Sequence, residues 1–265
     1  MAFLQYEYMS AALTRSISVK IFLPTDFMGQ VFQPPYKTLY FLPGYSASAS
    51  QILTFLGLRK QSELKGMAIV IPDGENQFYH DLPERRAFYS RFIGEELVNE
   101  TRKLLPLSDK REDTYIGGIS MGGYGAMYNG VKYCDVFSKI AAFSPSVDPY
   151  DLMTGNDPAF TEEQFNHLFK GKEAYLESSS YLPNAWKNCD PSKLPELFMC
   201  CGEEDTLVVH TVNALEKFLK ENNMPFIYEK GHGNHEYDYW NSQLDNAFSF
   251  LAGIERGTAA RFELP

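Results

Sequence analysis

Gly118-Ile119-Ser120-Met121-Gly122-Gly123 is the stretch that most constrains how this chain can fold. A short apolar run, Thr114-Tyr115-Ile116, precedes it, and a segment of helical pattern, Tyr124 to Lys132, follows. G-x-S-x-G between a strand and a helix reads as a nucleophile elbow. The chain turns so sharply there that the serine takes a strained backbone conformation, and a side chain at either flanking glycine would clash. The serine hydroxyl then stands clear of the sheet, with the next amide facing whatever it attacks. The pattern alone is weak: with Gly at roughly 7% of average usage, about one chain in ten of this length carries it by chance. Its surroundings decide its meaning.

Those surroundings alternate strand-like with helix-like runs, which predicts an α/β fold with a mostly parallel central sheet flanked by helices. Phe3 to Tyr8 and Ser16 to Phe22 read as an antiparallel pair at one edge. Lys37 to Leu42 ends in Pro43-Gly44, Met67 to Ile71 ends in Pro72-Asp73-Gly74, and Thr114 to Gly117 ends at the serine. Lys139 to Phe143, Leu197 to Cys201 and Pro225 to Glu229 complete the series. The clearest helices are Phe92 to Leu105, Val208 to Leu219 and Trp240 to Leu251. One stretch breaks the rhythm. Residues 148–190 separate two strands by far more than a usual connection, and they carry Tyr150, Phe160, Phe165, Phe169, Tyr175, Tyr181 and Trp186. Their lengths suit two or three short helices. An insertion here sits above the carboxyl ends of the strands, where open α/β sheets bind ligands, so it is expected to form a cap rather than padding packed on the sheet.

The 265 residues suit a single domain, 1–265, with the cap as an insertion within it. A formal charge of −10 repels polyanions, so nucleic acid is not an expected partner; a neutral or cationic small molecule is. The opening run Met1-Ala2-Phe3-Leu4-Gln5-Tyr6-Glu7 has no basic region followed by an apolar core, and no apolar run reaches membrane-spanning length. The expectation is a cytoplasmic protein without a membrane partner; a homo-oligomer is compatible with the sequence. Cys134, Cys189, Cys200 and Cys201 match no zinc spacing, and adjacent Cys200 and Cys201 should point to opposite faces of a strand. All four read as buried reduced thiols.

A serine at neutral pH needs a base within hydrogen-bond reach, and the base needs an orienting acid. On a sheet of this kind both follow the serine in chain order. The strand Leu197 to Cys201 runs into Gly202-Glu203-Glu204-Asp205-Thr206. Asp205 is favoured as the acid because it precedes a helix whose first amides can fix a carboxylate; Glu203 and Glu204 compete, although they read equally well as solvated charges. The strand Pro225 to Glu229 runs into Lys230-Gly231-His232-Gly233-Asn234-His235. Both histidines are candidate bases. His232 follows the strand directly, while His235 closes a Gly-rich turn and has the better reach back over the sheet. His80, His167 and His210 read as structural or surface residues. Acyl transfer also needs amides aimed at the developing oxyanion, each worth on the order of 3 kcal/mol. Met121 N–H is one natural donor, and Tyr45 N–H, in the bend after Gly44, is the choice for the second; the alternative is an ordinary strand-ending turn.

With these residues in place the chain resembles the α/β-hydrolase esterases of the esterase D group, which includes S-formylglutathione hydrolases, tributyrin-type carboxylesterases and some acetyl or feruloyl esterases. Leu104-Leu105-Pro106-Leu107-Ser108-Asp109 running into Gly117-Gly118-Ile119-Ser120-Met121-Gly122-Gly123-Tyr124-Gly125-Ala126 is similar to the family's central block. Ile71-Pro72-Asp73-Gly74 with Asn76 and Tyr79, Cys201-Gly202-Glu203-Glu204-Asp205, and His235-Glu236-Tyr237-Asp238-Tyr239-Trp240 are similar to three further family motifs. The resemblance implies an α/β-hydrolase fold, Ser120 as nucleophile, Asp205 as acid, His235 rather than His232 as base, and no cofactor or metal. It departs from the family at Pro43-Gly44, where His-Gly is common, and at Tyr45-Ser46-Ala47-Ser48, which lacks the cysteine and threonine of S-formylglutathione hydrolases. The expectation is therefore a carboxylesterase of the tributyrin-type branch acting on small short-chain esters. Deacylation of plant polysaccharide, S-formylglutathione hydrolysis or acyl transfer, and a non-catalytic binder on the same scaffold, are the alternatives.

Overall fold

In the computed structural model, residues 1–25, 32–155 and 157–257 are described; residues 26–31, Asn156 within the expected cap, and 258–265 lie outside the described residues. Eight strands form the main sheet: β1 (Ala2–Ser10), β2 (Arg15–Leu23), β3 (Lys37–Leu42), β4 (Met67–Pro72), β5 (Thr114–Ile119), β6 (Lys139–Phe143), β7 (Glu196–Gly202) and β8 (Phe226–Gly231). Their spatial order is β1-β2-β4-β3-β5-β6-β7-β8. β2 runs antiparallel to β1 and β4, and every other neighbouring pair is parallel. This is the α/β-hydrolase sheet that the resemblance implies.

The patterns of the strands follow from their places. β1 alternates exposed and half-buried positions, as an edge strand with one wet face does. The unbroken apolar run Met67-Ala68-Ile69-Val70-Ile71 becomes β4, buried on both faces. Helices α1 (Ala49–Phe55) and α2 (Leu58–Lys65) cover one face together with the last helix, and a second core on the other face takes the remaining helices. Cys200 belongs to the first core and Cys201 to the second, so the strand period does send them to opposite faces.

The helix expected at Phe92 to Leu105 is α3, residues 89–104, with a π-type turn at Phe92–Glu96. Its earlier start has a tertiary cause: Ser90 Oγ donates to Asn129 Oδ1 at 2.7 Å and accepts from Lys132 Nζ at 2.7 Å. Both partners lie on α4 (Met121–Lys132), the helix that leaves the elbow.

Between β6 and β7 the described residues form four short helices, where the lengths suggested two or three. They are α5 (Pro149–Thr154), α6 (Glu162–Phe169), α7 (Lys172–Glu177) and α8 (Leu182–Asn188). Side-chain caps open the first two, Asp148 on the amides of Tyr150 and Asp151 and a Thr161/Gln164 capping box, while α7 follows Gly171 at φ +93° and α8 starts at Leu182-Pro183. α9 (Val209–Glu221) and α10 (Tyr237–Ala252) complete the layers. α10 buries Trp240, Leu244, Ala247, Phe248 and Leu251, a 3.6-period stripe, and ends where Gly253 turns left-handed at φ +71°.

The topology locates a site. From β3 the chain steps outward to β4, then crosses back to β5 on β3's other side. The connections leaving β3 and β5 therefore diverge and open a crevice at their carboxyl ends. Leu42 pairs with Gly118 at that edge, so Pro43-Gly44 and the elbow leave the sheet side by side. Among the described residues no helix is long and apolar enough to cross a membrane.

Candidate active site

Ser120 sits between β5 and α4 at φ +55°, ψ −120°, a conformation that costs a non-glycine residue about 1–3 kcal/mol. The surroundings hold it there. Its amide donates to Phe143 O at 2.9 Å, and its carbonyl accepts from Tyr124 N and Ser146 N, both at 3.1 Å. The flanking glycines are required by contact: a Cβ on Gly122 would run into the carbonyl oxygens of Leu42 and Pro43, and one on Gly118 into those of Gly122 and Leu42. Backbone cannot give way as a flexible side chain can. The two glycines thus let the β3 loop lie against the elbow.

β7 ends at Gly202, and Asp205 follows at 1% exposure. Its Oδ1 accepts from Val208 N at 3.3 Å, just ahead of α9. Its Oδ2 accepts from His235 Nδ1 at 2.8 Å and from the Cys201 thiol at 3.8 Å. The loops after β7 and β8 interlock, since a Cβ on Gly202 would strike Gly233 O. Of the two histidines, His235 is the one on the buried acid. His232, with its side chain 94% exposed, instead pairs Nδ1 with Glu204 Oε1 at 3.0 Å. Glu204 Oε2 also accepts from Gly233 N at 2.7 Å. The Glu204 carboxylate raises the pKa of His232 above its ordinary value, and the Gly233 amide, then His232, lowers that of Glu204. Glu203 is a solvated surface charge.

The His235 ring is 21% exposed and meets the Trp240 ring edge-on, with centroids 5.1 Å apart. Trp240 Nε1 donates to Ser144 Oγ at 3.1 Å, which ties the start of α10 to the loop carrying Ser146. Ser120 Oγ has Ser146 Oγ as its hydrogen-bond partner, at 3.5 Å. Among the described residues no hydrogen bond joins Ser120 Oγ to His235. The structure brings acid and histidine together and leaves the serine–histidine bond unmade; such bonds are often long before substrate binds.

Met121 opens α4, so its amide has no carbonyl four residues back to bond. The Tyr45 amide donates to no acceptor among the described residues, whereas the loop around it is tied at three points. Tyr79 Oη donates to Pro43 O, Ser46 N to Asn76 Oδ1 and Ala49 N to Asp73 Oδ1, each at 2.7 Å. Ser46 is held at φ +59°. Gly44 lies close enough that a Cβ there would sit 3.4 Å from Ser120 Cβ. The motif Asp73…Asn76…Tyr79 is thus a clamp on this loop. Sequence reading recognised it as a motif without a role, and it missed Ser146 entirely because no spacing marks a serine in a strand-end loop.

Residues 148–190 pack on these loops. Phe160 meets the Tyr45 ring edge-on at 4.9 Å, and Phe169 meets Phe78 at 5.9 Å and His80 at 4.9 Å. A cavity of about 410 Å³ opens between Tyr45, Asn76 and Arg85 on one side and Met153, Thr161, Gln164 and His167 on the other. His80 is fully enclosed, and burial pushes its pKa down to about 3. His210 lies on α9 and pairs with Asp151 Oδ2 at 2.7 Å. Cys200 and Cys201 are buried as expected, but Cys134 and Cys189 are only partly so. Both lie where segments meet at the surface rather than in strands, which corrects the reading of all four as buried. Among the described residues no cluster of three or more His, Cys, Asp or Glu could hold a metal ion.

The family described as "Putative esterase" matches residues 10–251. An acetyl esterase of Caldicellulosiruptor saccharolyticus is 31% identical, over 96% of this chain and 99% of its own. A fluorophosphonate-binding serine hydrolase of Staphylococcus aureus has a TM-score of 0.82 at 22% identity, covering 95% of this chain and 98% of that one. The S-formylglutathione hydrolase of Staphylococcus aureus has a TM-score of 0.78 at 25% identity, with the same two coverages.

Proposed function

The chain belongs to the esterase family and is a carboxylesterase, and from that premise we propose that it hydrolyses short-chain acyl esters through an acyl-enzyme on Ser120, with His235 as base and Asp205 as the acid behind it. The observation that carries this reading is the 2.8 Å bond between His235 Nδ1 and the buried Asp205. It presents Nε2 as the free ring nitrogen and favours the tautomer in which Nε2 can take a proton.

In the proposed mechanism the ester carbonyl lies over the elbow. His235 Nε2 takes the Ser120 proton as Oγ attacks, once a side-chain movement has closed the bond between them. The oxyanion rests on the amides of Met121 and Tyr45. His235 then protonates the departing alcohol, takes a proton from the water that attacks the acyl-enzyme carbonyl, and returns it to Ser120 Oγ as the carboxylic acid leaves. Asp205 stabilises the imidazolium at both stages. Phe160 on Tyr45, with Phe169 and Phe78 behind, favours a short acyl group, in keeping with the acetyl esterase among the relatives. The cap formed by residues 148–190 is part of the same proposal.

Labelling by a fluorophosphonate probe, lost in Ser120→Ala, tests the nucleophile. An unlabelled wild-type enzyme, or a labelled Ser120→Ala variant, rejects it. A panel of acetyl, butyryl, feruloyl and S-formylglutathione substrates tests the acyl preference, with acetyl expected to lead.

A further inference from the structure

Two of the four cysteines lie together at the surface, remote in sequence and unused by the chemistry above. Cys134 is in the turn after α4, and Cys189 caps the end of α8, the last helix of residues 148–190. Both thiols line one open cavity of about 310 Å³, together with Tyr128, Lys132, Ser179 and Asp190. Within that cavity the Cys189 thiol donates to Asp190 O at 3.6 Å. The segments that carry them are bound independently of the sulfurs. Arg111 donates through Nε to Cys134 O at 2.6 Å and through Nη2 to Lys193 O at 2.8 Å. Lys193 Nζ pairs with Asp135 Oδ1 at 2.7 Å. A single guanidinium and an ion pair thus hold the two cysteine-bearing turns side by side.

From this arrangement we infer that Cys134 and Cys189 form a dithiol site for exchange with small-molecule disulfides, closing to an intramolecular disulfide that staples the end of α8 to the turn after the nucleophile helix. The reaction balances in two steps. One protein thiolate attacks a sulfur of the disulfide oxidant and expels one small thiolate. The second protein thiolate attacks the resulting mixed disulfide and expels the other. The protein loses two protons and two electrons, and the oxidant leaves as two thiols. Cys200 and Cys201, each fully buried in strand β7, are outside the reach of such an oxidant. Burial holds the Cys189 thiol up at about 11, which makes closure slow at neutral pH and does not prevent it.

The test incubates the native chain with oxidised glutathione at mildly alkaline pH, blocks residual thiols, and measures intact mass and proteolytic peptides. The expected product has lost two hydrogens, carries no glutathione, and yields one peptide joining Cys134 to Cys189. Reduction by dithiothreitol should restore the starting mass. Cys134→Ser should instead carry a single glutathione on Cys189, and Cys189→Ser a single glutathione on Cys134. Two glutathione adducts on the wild type without a cross-link would overturn the inference. So would cross-linking through Cys200 or Cys201, or no reaction by native protein under conditions that modify all four cysteines once it is unfolded. The readout is mass rather than hydrolysis, so it stands apart from the esterase proposal.

Discussion

His232 and His235 are separated by two residues and differ completely in surroundings. His235 is bonded to a carboxylate removed from water, and His232 to one in water. Coulomb attraction and orientation both count for more in the dry pair. His235→Ala should therefore lower kcat/KM for a p-nitrophenyl ester by about three to four orders of magnitude. His232→Ala, a change at an exposed rim, should stay within about twofold. The reverse pattern in a steady-state comparison would reassign the base. Asn76 is the other informative residue. It touches no substrate in the proposal, but its Oδ1 holds Ser46 N, one residue past the proposed oxyanion donor. Removing a donor outright costs about 10²–10³ in rate, and Asn76→Ala only loosens one. A roughly tenfold drop in kcat with KM little changed is expected; an unchanged kcat would mean that Ser46 does not position the loop. The sequence marked Ser120, Asp205 and the two histidines as candidates because each follows a strand end. It left His235 and His232 open because three residues of a Gly-rich turn can aim a ring either way.

At the scale of elements, α4, the helix that leaves the elbow, and the segment carrying Ser180 are joined by a set of hydrogen bonds around His80. Tyr124 Oη donates to Ser180 O at 2.7 Å, so it accepts from His80 Nε2 at 2.8 Å. His80 Nδ1 is then left to accept from Ser180 Oγ at 3.3 Å. These bonds suit the neutral ring, which burial favours. In the unfolded chain this histidine takes a proton near pH 6.5, and in the folded protein only near 3. Between those values the unfolded state binds the extra proton, so stability falls as pH falls, by about 1.4 kcal/mol per pH unit for this one group. Gln at position 80 does not titrate. Urea unfolding of His80→Gln across that range should show a shallower loss of stability toward acid than wild type, after a cost of about 1–3 kcal/mol near neutrality. Parallel slopes would show that His80 takes up its proton in the folded state as readily as in the unfolded one. The sheet strands were legible nearly to the residue, because apolar runs of strand length bounded by Gly and Pro report burial directly. The start of α3 and the number of helices between β6 and β7 were not. Ser90 is held by Asn129 and Lys132 from another helix, and the short helices are set by local caps and turns that interrupt no hydrophobic period.

For the molecule as a whole, the proposed cap, residues 148–190, would set what enters the crevice between β3 and β5. Phe160 closes on Tyr45, and Tyr45 supplies the proposed second amide. Phe160→Ala should move the optimum in a p-nitrophenyl ester series from acetate toward longer chains, gaining roughly tenfold in kcat/KM on the longer members, as about two methylene groups of new burial would provide. A wild-type enzyme whose rates rise steadily with chain length would remove the basis for that expectation. What the sequence determined by itself was the succession of strands and helices, and the strand ends at which serine, acid and histidine must fall. Those depend on local period and turn chemistry, which a single chain carries in plain view. Tertiary structure alone decided which carboxylate each histidine meets, that Asp73, Asn76 and Tyr79 brace the loop after β3, and that Cys134 and Cys189 become neighbours. Each of these contacts joins segments from 28 to 55 residues apart, Glu204 to His232 the shortest and Cys134 to Cys189 the longest, Asp73 to Ala49 (24 apart) excepted. Their partners are chosen by the strand order of the sheet and the packing above it, and neither is written in the spacing of residues along the chain.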